Sequence, residues 1–298
     1  SSRRRHTRFR NVTGVQTCAL PIYVRSDLPV IALALRGKRN FLWDVRSLWF
    51  DQKVIVDGKK PFKIITYAAR RLEKFAATNA TAVNTLAEPL LNVLEQRNGH
   101  IPSIQTVIPT CVDTSKFLFS PKINTERLIL LSGTLNNFYD LESTIKILQV
   151  LAAGGFQVEW AKGSESRQES LQEPYIKQVT LKHSDMPSKI AQSSFGIAIC
   201  RTDSPEILKG VMPTKVAEFF SVGRPVILSP GMGDLDRLVR EYNVGIILEE
   251  DKTESDLLKQ ALDLLRDEKL PMRCRKLAED HFSMQSAIAR YIETYQAM

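Results

Sequence analysis

The chain has 298 residues, 43% hydrophobic and 25% charged, and its basic side chains outnumber the acidic ones 41 to 33. This mix excludes a disordered chain, and no stretch approaches the ~20 apolar residues of a membrane span. Cys18, Cys111, Cys200 and Cys274 are scattered with no CxxC pair, which argues against a disulfide scaffold or structural zinc and fits a reducing cytoplasm. The length exceeds what one core usually serves, so two lobes are expected.

Residues 1–22 (SSRRRHTRFRNVTGVQTCALPI) hold Arg3, Arg4, Arg5, Arg8 and Arg10 and no acid; without them the basic excess falls from eight to three. The segment has neither helical nor strand periodicity. Its composition fits a basic nucleic-acid arm or an Arg-rich transit peptide. VTGVQTCALPI, however, resembles the conceptual translation of a sequencing-adapter oligonucleotide, and SSRRRHTR often precedes that run. The resemblance implies that residues 1–22 stand outside the fold, that they bind no nucleic acid, and that the first strands of the N-terminal lobe are missing.

From residue 23 the pattern alternates. Residues 28–35 read as an apolar helix, followed by the basic turn RGKRN. FLWDV (41–45) reads as a buried strand, and a helix runs from Pro61 to about Ala77. TAVNTL (81–86) is a strand, 87–97 a helix, and IQTVIP (104–109) a strand ended by proline. The aperiodic stretch 109–122 reads as a linker. RLILLSG (127–133) then opens a second run: helix 140–153, strands FQVEWA and IKQVTL, helix 186–192, strand FGIAIC (195–200), and a helix at 213–222 with proline in its first turn. RPVILS, a helix from Asp234, VGIIL (244–248) and a helix at 254–266 follow, and 271–298 reads as helical throughout. Such alternation means parallel sheets covered on both faces, here an α/β fold of two Rossmann-like lobes with the first incomplete. Ligands of such sheets bind at the carboxyl ends of strands, so the loops after Gly133, Cys200 and Ser229 are the informative ones.

The densest stretch for chemistry is Met212–Val239 (MPTKVAEFFSVGRPVILSPGMGDLDRLV). Free N–H groups at a helix start near Thr214 can hold a phosphate. Lys215 adds a cation where the helix dipole disfavours one, which makes sense if an anion binds there; a plain surface lysine is the alternative. Glu218 lies one turn after Thr214 and can accept hydrogen bonds from a ribose diol, or be a surface glutamate.

PTKVAEFFSVGRPVI, together with GMGDLDRLV, FLWDVRSLWFDQKV, VIPTCVDTSKF and LLSGTLNNFYDLE in the same order, resembles the signature segments of a PTK-x-x-E subgroup of the family-four retaining glycosyltransferases. The resemblance spans residues 23–298. It implies the GT-B fold and transfer of a sugar, with retention, from a nucleotide-diphosphate sugar to a glycan or lipid-linked acceptor. It implies Glu218 on the donor ribose, Lys215 and the helix start at Thr214 near the diphosphate, Gly133 and Thr134 on the phosphate side, and Arg201 as a further cation for the leaving group. No metal or other cofactor is implied. Its domain scheme places residues 23–118 in an acceptor-side lobe, 119–282 in a donor-binding lobe, and 283–298 in a helix crossing back to the first.

Three departures bear on activity. Gly210 stands where many relatives place a second glutamate eight positions before the ribose one. Thr134 replaces an arginine, and LNNFYD supplies no lysine. Tyr23 stands where the subgroup usually has histidine. These departures leave a catalytically inactive nucleotide-sugar-binding subunit as the alternative.

Other constellations are weaker. Asp234-x-Asp236 resembles a metal-binding DxD but opens a helix, where Asp234 reads as an N-cap. Gly231-x-Gly233 lacks the third glycine of a dinucleotide fingerprint. His100, His183 and His281 read as solvent-exposed. Asp44 and Arg46 are candidate acceptor-side residues or a buried ion pair at a strand end. The segment 36–53, with Phe41, Trp43, Trp49 and Phe50 among basic residues, fits either peripheral contact with anionic lipid at the inner membrane face or a buried strand beside a solvated turn.

Overall fold

Two all-parallel sheets organise the chain in this computed structural model, which describes residues 22–25, 29, 30, 33, 40–58, 62–123, 127–135, 138–163, 171 and 173–298. The adapter-like segment to residue 21, most of the expected helix at 28–35 and Pro61 lie outside the described residues.

The N-terminal sheet runs β1 (Ile22–Arg25), β2 (Phe41–Val45), β3 (Ala82–Thr85) and β4 (Ile104–Val107), side by side in that order. All residues of β2 and β3 are buried, as expected of central parallel strands. Helix α1 (Trp49–Asp57) follows β2 directly, an element the sequence reading did not separate from the basic-aromatic segment. Helix α2 (Lys63–Asn79) and helix α3 (Glu88–Asn98) complete this layer.

The C-terminal sheet contains β5 (Leu128–Ser132), β6 (Gln157–Gly163), β7 (Ile176–Leu181), β8 (Phe195–Ala198), β9 (Val226–Leu228) and β10 (Gly245–Ile247), in the spatial order β10-β9-β8-β5-β6-β7. That is the 3-2-1-4-5-6 order of a Rossmann sheet, and its switch point falls between β5 and β8. Around it lie α4 (Leu141–Ala153), α5 (Met186–Gln192), α6 (Pro205–Leu208), α7 (Thr214–Val222), α8 (Leu235–Tyr242), α9 (Glu254–Leu265) and α10 (Leu270–Leu277). Local chemistry sets two of their starts. The Asp140 carboxylate accepts from Ser143 N at 3.0 Å to cap α4, and Thr253 with Asp256 forms a capping box on α9.

Some boundaries differ from the sequence pattern. β8 stops at Ala198, because the Cys200 amide turns to the Ser229 hydroxyl at 2.9 Å. Pro213 precedes the first turn of α7 in an extended conformation rather than lying within it. The C-terminal stretch is broken at Ser283, whose extended backbone and hydroxyl cap α11 (Met284–Ala297). Among the described residues, no helix is long and apolar enough to cross a membrane.

The two sheets are joined by two crossings. Among the described residues no strand or helix lies between β4 and β5, and Arg224 pins this connection to the C-terminal layer. Its fully buried guanidinium donates to Ser120 O and Oγ, each at 2.9 Å, and to Lys122 O at 2.7 Å and Ala191 O at 2.6 Å. The second crossing, at residues 282–284, pairs with the first: Val112 N donates to Phe282 O at 2.8 Å and Met284 N to Val112 O at 3.1 Å. Beyond it α11 lies against β4, where Arg290 donates to Val107 O at 2.9 Å.

Helix α3 closes one end of the cleft between the sheets. The Asp234 carboxylate accepts from Glu88 N at 2.9 Å, so it caps α3 of the opposite layer and makes no side-chain cap on its own helix. Arg97 on α3 bonds to Glu206 on α6 and to Asp51 at 2.9 Å.

Candidate functional site

The carboxyl ends of β5 and β8 face the start of α7, bringing Gly133 and Cys200 beside Lys215. Gly133 follows β5 with φ of +82°, a left-handed backbone that favours glycine, and Trp160 Nε1 fixes its carbonyl at 3.0 Å. A Cβ at Gly133 would stand 3.9 Å from Lys215 Nζ, so the glycine loop and the first turn of α7 converge. Two buried polar atoms here lack a hydrogen-bond partner among the described residues: Ser132 Oγ and Lys215 Nζ.

The Lys215 ammonium lies over the Tyr139 ring, 4.2 Å from its centroid. Burial brings its pKa down to about 8, with Cys200 and Glu218 nearby opposing the shift. Burial likewise pushes the Cys200 thiol up to about 12, so it stays neutral, and holds the Tyr139 phenol well above its ordinary range. Glu218, one turn further along α7, is half-buried; burial raises its pKa, while His183 and Lys215 hold it back. His183 opens a 3₁₀ turn just past β7 and packs edge-on against Phe117.

Thr214 is exposed at the head of α7 and lines a cleft of about 380 Å³ between the layers. Thr134 is exposed beside Gly133. Arg201 is separate from the Lys215 position: its guanidinium donates to Asp203 at 2.8 and 3.2 Å and lines a cavity of about 480 Å³ on another face of Tyr139.

On the N-terminal sheet, Asp44 is fully buried. It accepts from the Tyr23 hydroxyl and the Asn84 amide, with Arg46 Nε 3.9 Å away. Its carboxylate therefore has no surface of its own for a ligand, whereas Arg46 reaches the cleft. Burial and the Asp44 bond hold the Tyr23 phenol far above its ordinary range.

Other sequence candidates have structural duties. Asp234 serves Glu88 N, and Asp236 accepts from Gly231 N at 3.0 Å. Among the described residues, no cluster of three or more His, Cys, Asp or Glu could hold a metal. Gly210 is an interface residue: a Cβ there would meet Leu90 Cδ2 of α3 at 2.9 Å. His281 is half-buried against Tyr242 rather than exposed. Tyr139, Cys200 and His183 were missed as neighbours of Lys215 and Glu218; they come from three distant segments and carry no spacing signal.

No protein-family model and no curated protein matches the sequence. Solved structures do match. Sucrose-phosphate synthase from Thermosynechococcus elongatus aligns over 93% of this chain and 73% of its own, at 17% identity and a TM-score of 0.63. HepE from Anabaena in complex with UDP-glucose aligns over 93% and 79%, at 12% identity and a TM-score of 0.67. A glycosyltransferase from Rickettsia africae aligns over 92% and 76%, at 14% identity and a TM-score of 0.61. At such identities the likeness shows the fold, two Rossmann-like sheets of the GT-B kind.

Proposed function

We propose that the protein transfers a sugar from a nucleotide-diphosphate sugar to a glycan or lipid-linked acceptor, with retention at the anomeric carbon, as the family-four PTK-x-x-E subgroup does. The observation that carries the reading is Lys215: a buried ammonium without a hydrogen-bond acceptor, at the switch point of a Rossmann sheet and in the first turn of a helix. A protein interior leaves such a charge unpaired at a cost unless an anion completes it. HepE, which shares the fold, was solved with UDP-glucose.

In this reading the donor diphosphate lies between the Lys215 ammonium, the amides of Thr214 and Lys215, and the loop of Gly133 and Thr134. Glu218 accepts from the ribose hydroxyls. Transfer breaks the bond between the anomeric carbon and the diphosphate oxygen while the acceptor oxygen bonds to the same face, its proton passing to the departing diphosphate oxygen. Negative charge grows on the departing diphosphate, where the preorganised cation and helix dipole act most strongly. This assignment uses no metal or cofactor. Arg201 joins only if the diphosphate draws it from Asp203.

Calorimetric titration with UDP, followed by an assay for UDP released from UDP-glucose, tests the reading. Saturable UDP binding with release of UDP is expected. Absence of UDP binding overturns it; binding without turnover on any acceptor or water selects the inactive binding subunit.

A further inference from the structure

The wall of the cleft opposite Thr214 has a composition of its own. Arg25, at the end of β1, and Arg46, just past β2, both line it, and no carboxylate does among the described residues. Arg25 is exposed, and Arg46 keeps 26% of its side chain accessible. Neither guanidinium donates a hydrogen bond to a described residue. The Asp44 carboxylate beneath Arg46 is engaged by Tyr23 and Asn84 and meets Arg46 only through Nε at 3.9 Å. Asp44 thus holds Arg46 in place without consuming its donors.

Between and around these cations stand three neutral polar side chains, Ser47, Gln52 and Thr110. Hydroxyls and an amide suit a polyol, and two guanidinium groups lining one cleft suit a phosphate or carboxylate. The volume of about 380 Å³ accommodates a sugar-sized ligand.

We propose that this cleft binds the acceptor as an anionic carbohydrate, its phosphate or carboxylate held by Arg25 and Arg46 and its hydroxyls met by Ser47, Gln52 and Thr110. The proposal rests on the donor reading above for the side from which the sugar arrives: Pro213 and Thr214, at the start of the helix that carries Lys215, line the opposite wall. The two arginines act on the acceptor, not on the donor diphosphate.

The test titrates the chain at saturating UDP with glucose, glucose 6-phosphate and glucuronate. Glucose 6-phosphate or glucuronate, or both, should bind at least about tenfold tighter than glucose, as hydrogen bonds to a charged partner would give. Whichever binds tighter tells a phosphate site from a carboxylate site. In Arg25→Gln and Arg46→Gln the advantage should shrink, and in the double variant fall to about twofold or less, with UDP affinity unchanged. Arg25 is exposed, so its single variant stays informative even if removing Arg46 from Asp44 disturbs the fold. Equal binding of all three sugars overturns the proposal while leaving the donor reading intact. Loss of UDP affinity in the arginine variants also overturns it, because the arginines would then serve the donor. If UDP does not bind but the charged sugars bind in an arginine-dependent way, the subsite stands and the donor reading falls.

Discussion

The Lys215 ammonium stands 4.2 Å from the centroid of the Tyr139 ring, and among the described residues it has no hydrogen-bond acceptor. A ring face returns about 2 kcal/mol to a desolvated cation, less than burying an unpaired charge costs. Lowering the pKa from 10.5 to about 8 corresponds to a cost on the order of 3 kcal/mol at neutral pH. Lys215→Met should therefore stabilise the protein by about 1–3 kcal/mol in urea denaturation and weaken UDP binding at least about tenfold. A methionine variant less stable than the parent would make Lys215 a structural residue.

The same lysine sets a pH dependence. In the unfolded chain it keeps its proton up to about 10.5, and in the folded, ligand-free protein only up to about 8. Between these values the unfolded state binds more protons, so this group's penalty is full below about 8 and is relieved as pH rises. Donor binding runs the other way: it needs the ammonium and should weaken above pH 8 with uptake of one proton. Calorimetry at pH 8.5 in buffers of different ionisation enthalpy measures that proton directly. Identical apparent enthalpies across buffers would contradict it.

Glu218 is raised by burial, so its negative charge is lost earlier on acidification than that of a free glutamate. Glu218→Ala should weaken UDP binding by about 1.5–3 kcal/mol. Pyrophosphate, which has no ribose, should bind the variant and the parent alike. A parallel loss for both ligands would make Glu218 a residue that positions Lys215 rather than a ribose contact.

Asp234 caps α3 from the other layer through Glu88 N. Asp234→Ala should cost about 1 kcal/mol, the usual value of an N-cap, and Asp234→Asn much less. Equilibrium denaturation of the two variants checks the order. An alanine variant as stable as the parent would show that water replaces the carboxylate at no cost.

Much of this fold was legible in one dimension. FLWDV and IKQVTL coincide with β2 and β7, and the helix at 186–192 has its expected bounds, because buried parallel strands and amphipathic helices write their periods into sequence. α1 escaped because Trp49–Asp57 has no strong apolar face. Periodicity alone runs helix through Ser283, because one capping serine is invisible amid helix formers, whereas the resemblance sets a boundary at 283. In the candidate site, the spacing of Thr214, Lys215 and Glu218 was readable since one helix carries all three. The ring over Lys215, the histidine near Glu218 and the burial of Asp44 depend on contacts between distant segments. Asp234 shows the same limit: local reading assigned its carboxylate to its own helix, while tertiary packing directed it to α3.

The two crossings between the sheets hydrogen-bond to each other at Val112, Phe282 and Met284. Separate tethers would let the layers twist, slide and swing independently. Segments joined side by side resist this together, since shear or torsion between the layers strains both bonds at once, and the Asp234 and Arg97 contacts across the layers oppose it as well. The wall carrying Arg25 and Arg46 is thereby kept in register with the start of α7.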